Sequence, residues 1–295
     1  MVAPTSLRAI IALAITAAPA ALGAPFPTVS SAFNCSRAIL LDAADAYVLA
    51  QTSGKVDQLQ RMLRSSWTYT ENNNASADVT KGVLRKALKI DHRRTNLDLV
   101  ACASYTELVS ASDAANPYVI GTQIRHNTTA GSRQETLSID TIASTTNSWL
   151  FDAKKTLQYV NQEKWTAIPE AQWDSRAAIQ AAGDAYLDMW SNATAHEAVP
   201  WGTPCVRLEG SAYTGTGKAD DSCKPGIPSN HNQAPNTHRR YVIDQEMGSV
   251  SVFCVWEHMM MAADSHEFRL EGGKLRYVHT MTVCGGSSVS YDCFW

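Results

Sequence analysis

The chain has 295 residues, of which 45% are hydrophobic and 18% charged, with a formal net charge of −3. That is enough apolar material for one large core or two modest ones, and it excludes a disordered chain. The lack of any basic excess argues against nucleic acid as a partner.

Met1 to Gly23 reads as a secretory signal peptide: one charge at Arg8, an apolar run from Ile10 to Leu22, and small residues around Ala21 to Gly23. The run is too short to span a bilayer, and no later stretch is long enough, so no membrane insertion is expected. The expected location is secreted or in the secretory-pathway lumen. Asn-X-Ser/Thr sequons at Asn34, Asn74, Asn127 and Asn192 are the glycosylation candidates of that route. Seven cysteines suit an oxidising compartment. Cys35 with Cys102, Cys205 with Cys223 and Cys284 with Cys293 are the expected pairs, which leaves Cys254 free, although spacing alone keeps the connectivity open. No Cys-x-x-Cys or His-x-x-x-His spacing occurs, so no metal is expected.

The stretch Ser36-Arg-Ala-Ile-Leu-Leu-Asp-Ala-Ala-Asp-Ala-Tyr-Val48 recurs, with one gap, as Ser175-Arg-Ala-Ala-Ile-Gln-Ala-Ala-Gly-Asp-Ala-Tyr-Leu187. In the first half, helical patterns over 38–51 and 56–64 precede strands over 67–72, 100–110, 118–125 and 136–142. In the second half, a helix over 177–190 precedes strands over 203–209, 240–244 and 249–256. Helices followed by a meander of strands predict an α+β fold in two tandem units, 34–165 and 166–295.

The last predicted element is a hairpin over 264–283 about Gly272-Gly273, since a two-residue Gly-Gly loop between alternating runs is a strong turn signal. A simple ladder would set Phe268 opposite Tyr277 and His266 opposite His279, all on one apolar face. Two facing imidazoles make His266 and His279 the leading acid/base candidates. Arg207 and Glu209 share a face, as do Arg240 and Asp244, and as do Tyr69 and Glu71 beside Trp67. Tyr105 and Glu107 alternate likewise, whereas His92 and the run Asn72-Asn-Asn74 read as surface. The tryptophans at 149, 165, 173, 190 and 201 read as core and domain-contact residues. No Gly-x-Ser-x-Gly elbow or Gly-rich phosphate loop is present.

The order of elements in each half resembles the SnoaL-like and ketosteroid-isomerase-like superfamily of cone-shaped α+β domains. The runs Val199-Pro-Trp-Gly-Thr-Pro-Cys205, Arg239-Arg-Tyr-Val-Ile-Asp244 and Gly272-Gly-Lys-Leu-Arg-Tyr-Val-His-Thr-Met281 are similar to those of a family of fungal secreted proteins of unknown function. Such proteins resemble the isomerase-like cyclases of fungal polyketide pathways, including those proposed to dimerise maleic anhydride monomers. The resemblance implies a cofactor-free isomerase or cyclase acting on an apolar carbonyl or anhydride. His266, His279, Glu71 and Glu209 would then be catalytic, with Arg207, Arg240, Tyr69 and Tyr277 binding substrate. The alternative is a secreted, non-catalytic glycoprotein that binds a small molecule or acts as an effector. In either case the expected partner is an apolar small molecule, with association into oligomers or with pathway proteins left open.

Overall fold

The computed structural model describes Met1 and residues 35–75, 77–127, 135–224 and 232–284. The remainder of the expected signal peptide, the sequon at Asn34 and Cys293 lie outside these. Among the described residues no helix is long and apolar enough to cross a membrane.

Both copies of the sequence repeat become helices, and each begins at its serine. Ser36 accepts a hydrogen bond from the Ile39 N–H to cap α1 (Arg37–Ser53), which ends at Gly54 in the left-handed region. Ser175 does the same for α4 (Arg176–Asp188) through the Ala178 N–H. Between them, the second helical pattern is only a turn, α2 (Asp57–Gln60), and a further helix, α3 (Ala153–Val160), joins the halves.

The first half forms β1 (Leu63–Glu71), β2 (His92–Asp98), β3 (Ala103–Ser110), β4 (Tyr118–His126) and β5 (Thr136–Ser144), paired in the order β1-β5-β4-β3-β2. After α5 (Ala195–Ala198) the second half forms β6 (Val206–Glu209), β7 (Ala212–Tyr213), β8 (Asn236–Asp244), β9 (Ser249–Trp256), β10 (Ala262–Glu271) and β11 (Lys274–Val283), in the order β7-β6-β11-β10-β9-β8. Leaving aside the short edge strand β7, the sheets repeat one plan, including a single parallel pair, β1 with β5 and β6 with β11. The architecture is α+β with two mixed sheets.

Besides the two-residue β7, β2 is missing from the expected set. Its charged residues Arg94 and Asp98 are buried against the other sheet rather than solvated, so alternation of polar and apolar residues could not reveal it. His92 and Asn73 also depart from the surface reading, whereas Asn74 keeps to it. His92 approaches Glu107 at 3.9 Å, while Asn73 donates to the Cys254 carbonyl and accepts from Arg240.

Each sheet has a helix on one face. Leu40, Ala43 and Tyr47 of α1 are buried, with Tyr47 joining Leu108, Ile120 and Ile139 in one core. Ile179, Ala182 and Tyr186 of α4 join Val250, Val252 and Phe268 in another. α4 lies close at Gly183, where a Cβ would stand 3.2 Å from Phe268 and Val250. The opposite faces pack on each other through a third core containing Tyr105, Val109, Ile142, Val242, Phe253 and Met281.

The contacts across this junction are reciprocal, as in an isologous dimer. Arg37 of α1 forms a two-pronged pair with Asp244 of β8 (3.0 and 3.1 Å), and Arg176 of α4 forms one with Asp98 of β2 (2.7 and 2.6 Å). Each aspartate also accepts a backbone N–H from the opposite sheet at 2.8 Å, Leu97 onto Asp244 and Ile243 onto Asp98. The carboxylates are buried and the arginines about one-third exposed.

Disulfides join Cys35 to Cys102 and Cys205 to Cys223, Cys254 is a buried free thiol, and Cys284 is also disulfide-bonded. The described bridges fit an oxidising secretory environment. Asn74 and Asn192 are exposed, but Asn127 is only 7% exposed, a poor acceptor for a glycan.

Removing Arg176 strands a buried carboxylate, so Arg176→Ala should cost about 3 kcal/mol, and Arg37→Ala a comparable amount, read from urea unfolding midpoints.

Candidate functional site

The hairpin turns where expected: Gly272 and Gly273 are both left-handed, with φ of 59° and 73°, and Glu271 faces Lys274 and Leu270 faces Leu275. Beyond that the register departs from the simple ladder, because Arg276 is an extra residue in β11. Arg269 faces Tyr277, Phe268 faces Val278, Glu267 faces His279, and His266 faces Thr280. A one-residue slip sends side chains to the other face. His266 therefore points to the α4 face and His279 to the junction between sheets, and the expected facing pair does not exist.

His279 is fixed in the junction. Its Nδ1 lies 3.1 Å from Glu107 Oε2, and its Nε2 lies 2.6 Å from Glu163 Oε2. Arg94 reaches Glu267 at 2.5 Å and Glu107 at 3.1 Å, and its guanidinium covers the Trp165 ring at 3.8 Å. Burial opposes a charge on His279, but Glu163 and then Glu107 outweigh it, and the imidazole is pushed up to about 10. Burial works against the Glu107 carboxylate as well, yet Arg94 and His279 hold it well below the usual range. These groups join the sheets. The hollow that touches Glu107 and His279 measures about 10 Å³.

Other expected site residues are also elsewhere. Tyr277 stacks on Trp165 at 5.4 Å, and Arg240 pairs with Asp140 at 2.5 Å, both in the junction. Tyr69 and Glu71 lie under α1 in the first half, where Glu71 accepts from the Tyr69 hydroxyl at 2.5 Å and the Val83 N–H at 2.9 Å.

The remaining candidates do converge. Arg207, Glu209 and His266 line a cavity of about 180 Å³ on the α4 face of the second sheet, with Tyr186, Trp190, Trp149, Trp256, Gln233, His258, Met259 and Thr280. Arg207 pairs with Glu209 at 3.2 Å, and Glu209 accepts from the Trp149 indole at 3.2 Å. Burial pushes the Tyr186 hydroxyl up to about 12 while Arg207 draws it down, so it remains a neutral donor. Trp149 and Trp190 are thus cavity walls as well as core residues.

Sequence reasoning missed the group behind His266. Its Nδ1 lies 2.5 Å from Oδ2 of Asp264, and this fully buried carboxylate also accepts from Thr282 Oγ1 at 2.7 Å and from the Cys254 thiol at 3.4 Å. The signal was available: Asp264 and His266 are two apart on one strand and so share a face. A carboxylate at Nδ1 fixes the ring's orientation, and in the neutral ring it leaves the lone pair on Nε2.

The first sheet supplies an internal comparison. Glu71 faces Thr141 across its parallel pair as Glu209 faces Thr280 across the other. In that alignment Thr122 takes the place of His266, Ile120 of Asp264, Leu108 of Cys254 and Ala143 of Thr282. The same position under α1 is packed with Tyr47, Tyr69, Val83 and Leu84. One copy of the plan therefore folds with Ile120, Leu108 and Ala143 in place of Asp264, Cys254 and Thr282, and with a threonine bonded to Tyr47 and Thr141 in place of His266. Fold alone does not demand the second sheet's set.

Among the described residues, two groups bring three metal-ligating side chains within 4.8 Å of one another: Cys254 with Asp264 and His266, and Glu107 with Glu267 and His279. In the first, ligands come from paired strands, an arrangement that motif spacing does not test.

Residues 172–282 match the family model of a domain of unknown function, DUF8021. No curated protein matches the chain.

The high pKa of His279 sets a pH dependence. A raised folded-state pKa contributes stability that is complete below the unfolded value of about 6.5 and is lost as pH rises through the folded value. The urea midpoint should therefore decline from neutral pH to pH 10, and His279→Gln should flatten that decline.

Proposed function

We propose that the second unit is a cofactor-free acid/base catalyst, an isomerase or cyclase that moves a proton next to a carbonyl in an apolar small molecule. In this reading both halves are SnoaL-like cones, and only the second retains a working cavity. The observation that carries it is the Asp264–His266 pair at the wall of an aromatic-lined cavity, set against Ile120 and Thr122, which lack any ionisable group, at the matching places of the first sheet.

His266 replaces the paired histidines as the central group. Nε2 takes a proton from the carbon α to the carbonyl, and the electron pair moves onto the oxygen to form an enolate. The same imidazolium returns the proton to the γ carbon, which shifts a double bond into conjugation and regenerates the neutral ring. Asp264 holds the tautomer and balances the transient positive charge, a positioning role like that of the aspartate in hydrolase triads. Arg207 and the Trp256 indole, both on the cavity wall, supply the positive and hydrogen-bonding groups that an enolate oxygen needs. The secretory location expected from the sequence places this activity outside the cytosol.

The test is conversion of the unconjugated isomer of cyclohexenone to the conjugated one, followed by absorbance. His266→Gln should lower the rate by on the order of 10² to 10⁴-fold with unchanged circular dichroism. Asp264→Asn should lower it too, because an amide can hold the ring in the wrong tautomer. A His266→Gln protein that isomerises as well as wild type would end this reading.

A further inference from the structure

The cavity also limits what can enter it. Its volume of about 180 Å³ is close to the roughly 150 Å³ of an apolar cavity that accepts benzene, and falls below the roughly 300–1,000 Å³ of pockets for larger ligands. Four aromatic side chains, Trp149, Tyr186, Trp190 and Trp256, form much of the wall, which suits a flat ring.

The wall also carries polar atoms that lack a partner. Among the described residues the indole N–H of Trp256, a residue only 4% exposed, finds no hydrogen-bond partner, and neither does Gln233 Oε1. Buried polar groups are normally satisfied, and leaving one unpaired costs about 1–3 kcal/mol. An indole N–H can only donate, so the occupant that satisfies it carries a hydrogen-bond acceptor, which a carbonyl oxygen supplies.

Trp149 sets the boundary. It lines this cavity and also a surface groove of about 910 Å³, whose walls include Pro117, Leu150, Phe151 and Ser211. The indole is held by Glu209, and the Trp149 backbone N–H donates to the Thr282 carbonyl at 3.2 Å. The tryptophan is thus a fixed wall between a small space and a large one.

We infer that the ligand is a single ring bearing a carbonyl oxygen that accepts from Trp256, and that Trp149 is the specificity-determining residue that excludes a second fused ring. This rests on the function proposed above and narrows it: two anhydride monomers, or a fused polycycle, exceed the volume of about 180 Å³.

Calorimetric titration of the full chain with conjugated cyclohexenone and with its fused two-ring homologue, octalone, tests it. Wild type should bind the single ring at least about ten-fold more tightly. Trp149→Ala, and more weakly Trp149→Phe, should bring octalone within about two-fold of cyclohexenone as the wall opens. Trp256→Phe should weaken cyclohexenone about ten-fold while leaving the ring preference in place. Equal affinity of wild type for both ligands, or no measurable binding of either, overturns the inference, and the wild-type comparison stands even if a Trp149 variant does not fold. The two readings fail separately. Size selection without His266-dependent turnover removes the catalyst, and His266-dependent turnover without size selection removes the one-ring limit.

Discussion

The pairs Arg37–Asp244 and Arg176–Asp98 hold the architecture together. Each links the first turn of one helix to the end of a strand in the opposite half, and each aspartate also accepts a backbone N–H of the sheet across the junction. A charge taken fully out of water requires both a counter-charge and hydrogen bonds, and here the arginine that pairs with each aspartate comes from the other half. The halves therefore stabilise one another in the manner of two subunits, although one chain supplies both.

That mutual dependence leaves the outer faces of the sheets free to diverge. Under α1, the space is closed by Tyr47, Tyr69 and the segment about Val83, with Glu71 absorbed as an acceptor for its neighbours. Under α4, the equivalent tyrosine, Tyr186, borders open volume and the polar set centred on Asp264 survives. A buried carboxylate in an otherwise apolar layer is costly. Its presence in only one of two otherwise parallel layers is why the second half, rather than the first, carries the proposed chemistry.

Much of this was written locally in the sequence. The serines that open α1 and α4 were visible from the repeat, and so were the Gly-Gly turn and the placement of Arg207 with Glu209 on one face. Three things were not. β2 was hidden because its charged residues face another sheet, so burial ran opposite to polarity. The extra residue at Arg276 was hidden because alternation with period two carries no mark of where a ladder slips. That one slip moved His279 from the candidate site to the ion cluster between the sheets. Asp264 was overlooked for a different reason: its value lies in cross-strand neighbours, Cys254 opposite and Thr282 on the far strand, which only the register brings together.

The filled space under α1 has a consequence for saturation behaviour. A body with two-fold internal symmetry would ordinarily offer equivalent sites that can influence each other, but here one socket is blind. Under the proposed function, each polypeptide takes up a single equivalent along a simple hyperbola. Any sigmoidal response would therefore report association between whole chains rather than communication between the halves of one.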